Sequence, residues 1–308
     1  MMSKTAALFS GQGSQYPGMG RELYDHFSEV RKLYSIAGDV LGFDLATISF
    51  DGGGEQLSDT FYSQPAIFAL SVAAYTAATV KAPGFNPMCV MGHSLGEYAA
   101  LYCAGAFCLA DGFRIIKARA ESMSRAGNAK TCAMYAIMGS DIDAVGKACE
   151  AAGGFVVPAN FNHPSQTVIS GEAKAAATAA GILAENGAKA VKLNVSGAFH
   201  TVMMKDAADA FKAKIKDITF MKTKLPFYSN LTGGPLEIGD YPDYFAKHMV
   251  SPVRFSEQIQ SMAASGVDTC VEFGPKRSAA ALAKKNVKAL TVLGVEDMAS
   301  LGKLEELY

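Results

Sequence analysis

The sequence has almost no net charge. Its 308 residues carry 28 lysines and arginines against 29 aspartates and glutamates, a formal balance of −1. No global field draws such a chain to nucleic acid or to an anionic membrane, so any charged partner must be met by a local patch. Paired cysteine spacing is also missing. Cys89, Cys103, Cys108, Cys132, Cys149 and Cys270 form no CxxC, and five of them sit among small or apolar neighbours, as free buried thiols do. Neither a disulfide framework nor a metal site is expected. Long apolar runs are absent too. The uncharged stretch Thr60 to Val80 contains Ser63-Gln64-Pro65 and several threonines, and reads as a buried helix starting near Pro65, not a membrane span. The apolar run in the opening MMSKTAALFSGQG is too short for a signal-peptide core and meets a glycine turn at once, so a cytoplasmic protein is expected.

What is present is ordinary globular composition, 50% hydrophobic and 19% charged. The length suits one large domain with a small one inserted or appended. Ala6–Phe9 reads as a buried strand, followed by the tight loop Gly11-Gln12-Gly13. A helical pattern runs from Gly20 to Leu41 and a second helix from Pro65 to Val80. Cys89–Met91 is a strand that stops at Gly92, with a helix from Leu95 to about Phe107. Alternating strands and helices point to a mostly parallel sheet covered on both faces.

The stretch from Thr131 to Val195 has another rhythm. Strands at Ala133–Met138, Val156–Asn160, Gln166–Ser170 and Ala188–Val195 interleave with helices at Asp141–Ala152 and Glu172–Asn186. The order βαββαβ is the ferredoxin-like arrangement. The expected architecture is an α/β hydrolase-like parallel-sheet domain, residues 1–129 and 197–308, with an inserted ferredoxin-like subdomain, residues 130–196. Helices near Thr201–Asp217, Asp240–Lys247 and Ser256–Ser265, and strands at Pro226–Ser229 and Thr269–Phe273, return the chain to the large domain.

Gly92-His93-Ser94-Leu95-Gly96 fits G-x-S-x-G between a strand and a helix, the context that gives this motif meaning. A serine on so sharp a turn has strained backbone angles, and the glycines remove Cβ atoms that would collide with the turn. Its hydroxyl then projects toward a cleft at a helix N-terminus. The plainer reading is a glycine-flanked turn with an ordinary serine. His93 adjoins Ser94 but points elsewhere in such a turn, so a structural role is assigned to it.

A serine nucleophile needs a base within hydrogen-bond reach. Of the five histidines, His26 lies on a charged helix and His163 in an Asn-His-Pro loop. His200 follows Ser196-Gly197-Ala198-Phe199, where the chain re-enters the large domain, and is the leading candidate. A hydrogen-bonded loop histidine is the alternative. No aspartate stands out as an orienting third member, a task a backbone carbonyl can perform. For the oxyanion of a tetrahedral intermediate, the N–H of Leu95 is one candidate donor and that of Gln12 a second. One such donor is worth about 3 kcal/mol of transition-state stabilisation. The rival reading of the loop, a G-x-G-x-x-G nucleotide fingerprint, fails because Tyr16 stands at the third glycine position.

On the helix near Phe113–Ala126, Arg119 shares an apolar stripe with Ile116, Ala120 and Met123. A guanidinium turned inward needs an anionic partner. From pattern alone an internal salt bridge and a substrate carboxylate are equally good answers.

These pieces resemble the malonyl-CoA:acyl carrier protein transacylase family, which includes the acyltransferase domains of fatty-acid and polyketide synthases. The resemblance is carried by GQGSQYPGMG (Gly11–Gly20), SQPAI (Ser63–Ile67), GHSLGEYAAL (Gly92–Leu101) and RAESM (Arg119–Met123). It continues in NFNHPSQTVISG (Asn160–Gly171), GAFH (Gly197–His200), SNLTG (Ser229–Gly233), SPVRF (Ser251–Phe255) and EFGP (Glu272–Pro275), in the family's order over nearly the whole chain. It implies a Ser94–His200 dyad, oxyanion donors at Gln12 and Leu95, and Arg119 as the clamp on a malonyl carboxylate. Phe199 matches a pattern associated with malonyl over methylmalonyl, and Asn162 falls in a loop near the site. His248 stands where the family usually has a glutamine whose backbone carbonyl orients the base, and is counted among the site residues. Phe255 replaces a common tryptophan, and Lys276 a frequent glycine.

The implied reaction is ping-pong, from malonyl-CoA through malonyl-Ser94 to the phosphopantetheine thiol of acyl carrier protein, with no metal or bound cofactor. A serine thioesterase would use the same dyad without needing Arg119. A monomer is expected. Carrier proteins of this type are acidic. Lysines 212, 214, 216, 222 and 224, or Lys276, Arg277, Lys284, Lys285 and Lys288, could form a docking patch or simply a solvated surface.

Overall fold

The computed structural model describes residues 3–126, 131–195 and 197–308. The expected junctions at 129/130 and 196, with Ser196 itself, lie outside the described residues.

A parallel sheet forms the centre of the larger part. Its strands are β1 (Thr5–Phe9), β2 (Cys89–Gly92), β9 (Thr269–Phe273) and β10 (Thr291–Val295), in the order β10-β9-β1-β2. β1, β2 and β9 are buried along their whole length, which is why they read as unbroken apolar runs without alternation. Because the strands are parallel, their C-terminal ends lie along one edge, where α/β sheets bind ligands. The Gly11–Gly13 loop, Ser94 and Gly274-Pro275 all emerge there.

The second sheet comprises β3 (Cys132–Met138), β4 (Val156–His163), β5 (Gln166–Glu172) and β6 (Lys189–Lys192), antiparallel in the order β4-β5-β3-β6. With helices Ile142–Ala151 and Ala173–Glu185 this is the ferredoxin-like βαββαβ unit, and its core is separate from that of the large sheet. Asp141 caps the first helix by accepting the N–H of Ala144 at 2.8 Å. A parallel bridge from Asn160 to Val253 ties the unit to the large domain. A minor hairpin, β7 (Tyr228–Ser229) and β8 (Gly234–Pro235), flanks β2 through a bridge from Phe227 to Val90.

Several elements differ from expectation. The helix placed at Pro65 begins at Thr60, because Asp59 caps it by accepting the N–H of Phe61. That 22-residue helix is apolar all round, and it is a core helix. The pattern from Gly20 to Leu41 is two helices, Arg21–His26 and Ser28–Leu41, broken where Phe27 is extended. The helix after Ser94 ends at Cys103, before Gly105 at φ 85°. β6 is only four residues long, and β4 runs three residues past Asn160, so Asn162 lies on a strand, not in a loop. Helices Leu45–Asp51, Gly54–Ser58, Ser278–Asn286 and Met298–Glu305, and strand β10, were not expected. All six cysteines are free. Among the described residues no single helix is long and apolar enough to cross a membrane.

Candidate active site

The elbow is built by close approach. Ser94 takes φ 49°, in the left-handed region that L residues avoid. A Cβ on Gly92 would lie 2.1 Å from the carbonyl carbon of Gly96, and one on Gly96 would lie 2.2 Å from the carbonyl oxygen of Phe9 on β1. Only glycine permits β2 to turn into helix Gly96–Cys103 so tightly against its neighbour.

Ser94 and His200 meet. The Oγ–Nε2 distance is 2.7 Å. His200 Nδ1 faces two backbone carbonyls, those of His248 and Ser251, each at 3.1 Å. Carbonyls only accept, so the ring proton sits on Nδ1, and Nε2 is the bare acceptor for the serine hydroxyl. Burial, reinforced by the Arg119 charge, pushes the imidazole down to about 3, against the opposing effect of the His248 carbonyl. The ring is therefore neutral at physiological pH, the form a base requires.

Arg119 is 2% exposed. Its Nη1 donates to Gln64 Oε1 at 2.6 Å, its Nη2 to Ser94 Oγ at 3.4 Å, and its guanidinium lies 5.1 Å over the Tyr98 ring. Its Nε has no acceptor, and among the described residues no carboxylate forms an ion pair with it. Of the two answers left open by the sequence, the internal salt bridge is not present.

The N–H groups of Gln12 and Leu95 have no hydrogen-bond acceptor among the described residues, while the neighbouring N–H groups of Gly13, Ser94 and Gly96 are all engaged. The Gln12 side chain is held away by Thr60 Oγ1 at 3.1 Å. The loop reaches the elbow because Gly11 lacks a Cβ, which would stand 2.8 Å from the His93 carbonyl oxygen.

These groups face a cleft of about 770 Å³ between the two sheets. Its wall includes Gln12, Ser94, Arg119, Met123, Phe199 and His200 from the large domain, and Met134, Asn162 and Val168 from the second sheet. Helix Ser278–Asn286 supplies one lip through Ser278, Ala279 and Leu282. Asn162 Oδ1 accepts from His93 Nε2 at 2.8 Å, so both residues brace the cleft wall, and Phe255 packs on the His93 ring. His248 is different: its ring is fully buried and does not line the cleft, since helix Tyr241–Val250 turns it toward Glu97 and Tyr244. Its carbonyl bonds to His200, and its ring packs behind the His200 ring with 5.5 Å between centroids.

Sequence reasoning assigned no role to Gln64, Glu97, Tyr98 or Asn230. The first is the one amide in a mostly apolar helix, which is a usable signal. The others announce themselves only through partners far away in the chain. Burial raises Glu97 to about 8 and pushes His248 well below its ordinary value, so their 3.4 Å contact is one between neutral groups. Among the described residues no cluster of three or more His, Cys, Asp or Glu could hold a metal ion.

A partly buried serine–imidazole pair at a strand–helix elbow, beneath free backbone donors and beside an open cleft, defines a class of enzyme that works through an acyl-serine. Comparison with known proteins narrows this. The acyl transferase domain model matches residues 7–306, and the chain belongs to that family. It is 38% identical over 301 residues to the malonyl CoA-acyl carrier protein transacylase of Bacillus subtilis (strain 168), covering 96% of this chain and 94% of that one. The crystal structure of MCAT from Streptococcus pneumoniae superposes with a TM-score of 0.93 at 36% identity, over 99% of this chain and 100% of that chain. A malonyl-transacylase solved in complex with a type II polyketide synthase acyl-carrier protein gives 0.95 at 35% identity, over 99% and 100% of the two chains.

Proposed function

We propose that this chain transfers malonyl from malonyl-CoA to the phosphopantetheine thiol of acyl carrier protein by a ping-pong mechanism through malonyl-Ser94. His200 Nε2 takes the Ser94 Oγ proton as Oγ attacks the thioester carbonyl carbon. The N–H groups of Gln12 and Leu95 receive the oxyanion, and its collapse breaks the C–S bond. The proton on His200 passes to the departing sulfur of coenzyme A. The carrier thiol then repeats the sequence on the acyl-serine, with His200 again base and then acid.

The observation that carries the malonyl assignment is Arg119, a buried guanidinium 3.4 Å from the Ser94 hydroxyl that forms no ion pair among the described residues. A substrate carboxylate two bonds beyond the thioester carbonyl carbon supplies a counter-ion. Phe199 and Met123 supply apolar wall beside it. The protein is proposed to act as a cytoplasmic monomer.

For the carrier protein, the lysine groups divide. Lys212, Lys214 and Lys222 are already paired with Asp243, Glu121 and Glu237. Among the described residues no acid pairs with Lys276, Arg277, Lys284, Lys285 or Lys288, which lie on or beside the helix at the cleft lip. This second group is the proposed docking patch for an acidic carrier protein.

Intact-mass measurement after brief mixing with malonyl-CoA tests the reading. A malonyl adduct is expected on the wild type, absent in Ser94→Ala, and discharged by carrier protein. Rapid free malonate without carrier protein would instead indicate a thioesterase.

A further inference from the structure

Beneath Ser94 lies a buried amide whose every polar atom is used. Asn230 opens the turn between β7 and β8 and is fully buried. Its Oδ1 accepts the N–H of Ser94 at 2.7 Å, and its Nδ2 donates to the Gly92 carbonyl at 2.9 Å and to Gln258 Oε1 at 3.0 Å. Its own N–H donates to Glu97 Oε1, and its carbonyl accepts from the Arg254 N–H at 3.0 Å.

The two peptide planes that lead into Ser94 are each held at both ends. In the first, the Gly92 carbonyl is held by Asn230 and the His93 N–H donates to the Phe9 carbonyl at 3.2 Å. In the second, the His93 carbonyl accepts from the Gly96 N–H at 3.0 Å and the Ser94 N–H is held by Asn230. One amide therefore supplies a tether to each plane. A residue at φ 49° relaxes unless its surroundings hold it. Relaxation here would swing Oγ from His200 Nε2 and re-aim the Leu95 N–H.

His248 stands behind this amide. Its Nε2 lies 3.4 Å from Asn230 Oδ1 and 3.4 Å from Glu97 Oε2, while its Nδ1 has no partner, which places the ring proton on Nε2. The carbonyl of the same residue receives His200 Nδ1. One residue thus touches the base through its main chain and the holder of the nucleophile through its ring.

We propose that Asn230 is a positioning residue for Ser94, fixing the elbow by clamping the two peptide planes before it, and that the His248 ring is its buttress. The amide cannot be replaced by its acid, because Nδ2 faces two oxygens that need a donor. The proposal rests on the acyl-serine reading above.

The test measures the acylation half-reaction of Ser94 by rapid-quench intact mass, with malonyl-CoA and, in parallel, with a small serine-directed phosphonate. Circular dichroism and melting temperature are recorded for each variant. Asn230→Ala is expected to slow acylation at saturating malonyl-CoA about 10²-fold, as misplacement of a reacting atom by about 1 Å does, with an unchanged half-saturating concentration. His248→Leu is expected to slow it about tenfold, and His248→Gln to regain most of that, because a carboxamide N–H can donate to Asn230 Oδ1. A folded Asn230→Ala that acylates at the wild-type saturating rate overturns the proposal. So does a loss confined to the half-saturating concentration. If Asn230→Ala does not fold, His248→Leu decides, and a wild-type rate there, or no recovery in His248→Gln, overturns it. A wild type that forms no malonyl adduct refutes the acyl-group assignment instead, and the phosphonate rates then judge Asn230 independently.

Discussion

Replacing Arg119 with methionine tests the proposed substrate clamp. The guanidinium is buried, its Nη1 is bound to Gln64 Oε1, and its Nε has no acceptor. A malonyl carboxylate bound there forms a desolvated, charge-assisted pair, and removing one member of such a pair costs about 3–5 kcal/mol. At about 1.4 kcal/mol per factor of ten, malonyl acylation efficiency should fall about 10²- to 10⁴-fold. Acetyl-CoA offers no carboxylate, so acylation by acetyl should not fall. Stability should move differently. Methionine removes a buried charge, and exchanging buried ionic groups for apolar ones gains about 1–4 kcal/mol in favourable cases. It also leaves Gln64 Oε1 without a donor, at about 1–3 kcal/mol. The melting temperature should therefore hold or rise while malonyl transfer collapses. The assays are intact-mass acylation with both thioesters and a thermal melt. Equal losses with malonyl and acetyl would refute the clamp. A stability loss above about 3 kcal/mol would show that the arginine's real partner is internal.

Other consequences follow from the same geometry. Because burial and Arg119 depress His200 to about 3, the free-enzyme acylation rate should show no inflection near 6.5 and stay level down to about pH 4. A break near 6.5 would contradict the burial argument. The linked stability has a definite sign: the unfolded chain takes up this proton near 6.5 and the folded chain only near 3. The contribution is thus full above about 6.5 and lost as pH falls toward 3, so acid should destabilise His200→Gln less than the wild type in urea melts at pH 7 and 4.5. Gly96→Ala should destabilise by more than the usual overpacking cost of about 1–3 kcal/mol, since its Cβ would stand 2.2 Å from a backbone oxygen on a central strand. An unshifted urea midpoint would show that the elbow has room. Lys284→Glu with Lys285→Glu should raise the half-saturating concentration of carrier protein, more so at low salt, while leaving acylation by malonyl-CoA unchanged. An unchanged response to carrier protein would place docking elsewhere.

The elbow was legible in the sequence because its cause is local. Gly92, Ser94 and Gly96 sit between an apolar strand and a helix, and the steric demand falls on those three residues. The βαββαβ unit was legible for a similar reason, since its periodicities change within short, turn-bounded segments. Arg119 could be seen facing inward from its stripe, but that no carboxylate among the described residues pairs with it can be learned only from the packing of the large domain. The helices Leu45–Asp51 and Gly54–Ser58 are too short for a periodic signal. Strand β10 carries a glycine and is only partly buried, so its pattern is weak. The long core helix starts earlier than its proline suggests, because Asp59, six residues before Pro65, is the cap. The direction of the His248 ring depends on Glu97 and Asn230, which are distant in sequence, so the substitution was visible while its contacts were not.

The backbone strain of the site lies at the two residues that face the cleft, and a set of buried hydrogen bonds lies behind them. Ser94 at φ 49° and His200 at φ 61° are each in a region that costs about 1–3 kcal/mol for a side-chain-bearing residue. Behind them, Asn230, Gln258 and Glu97 are fully buried and hydrogen-bonded. If the elbow is strained in this way, relieving it should stabilise the fold while destroying its chemistry. Ser94→Gly and Ser94→Ala both remove the hydroxyl and its bond to His200, so that loss cancels between them. Glycine adopts φ 49° freely, whereas alanine keeps the strain. Against this, glycine enlarges the unfolded ensemble by about 0.4–1 kcal/mol. Ser94→Gly should therefore be the more stable of the two, by up to about 2 kcal/mol once the terms are offset. Equilibrium urea denaturation of both variants measures the difference directly. An alanine variant as stable as the glycine variant would mean that the backbone at Ser94 is not under strain.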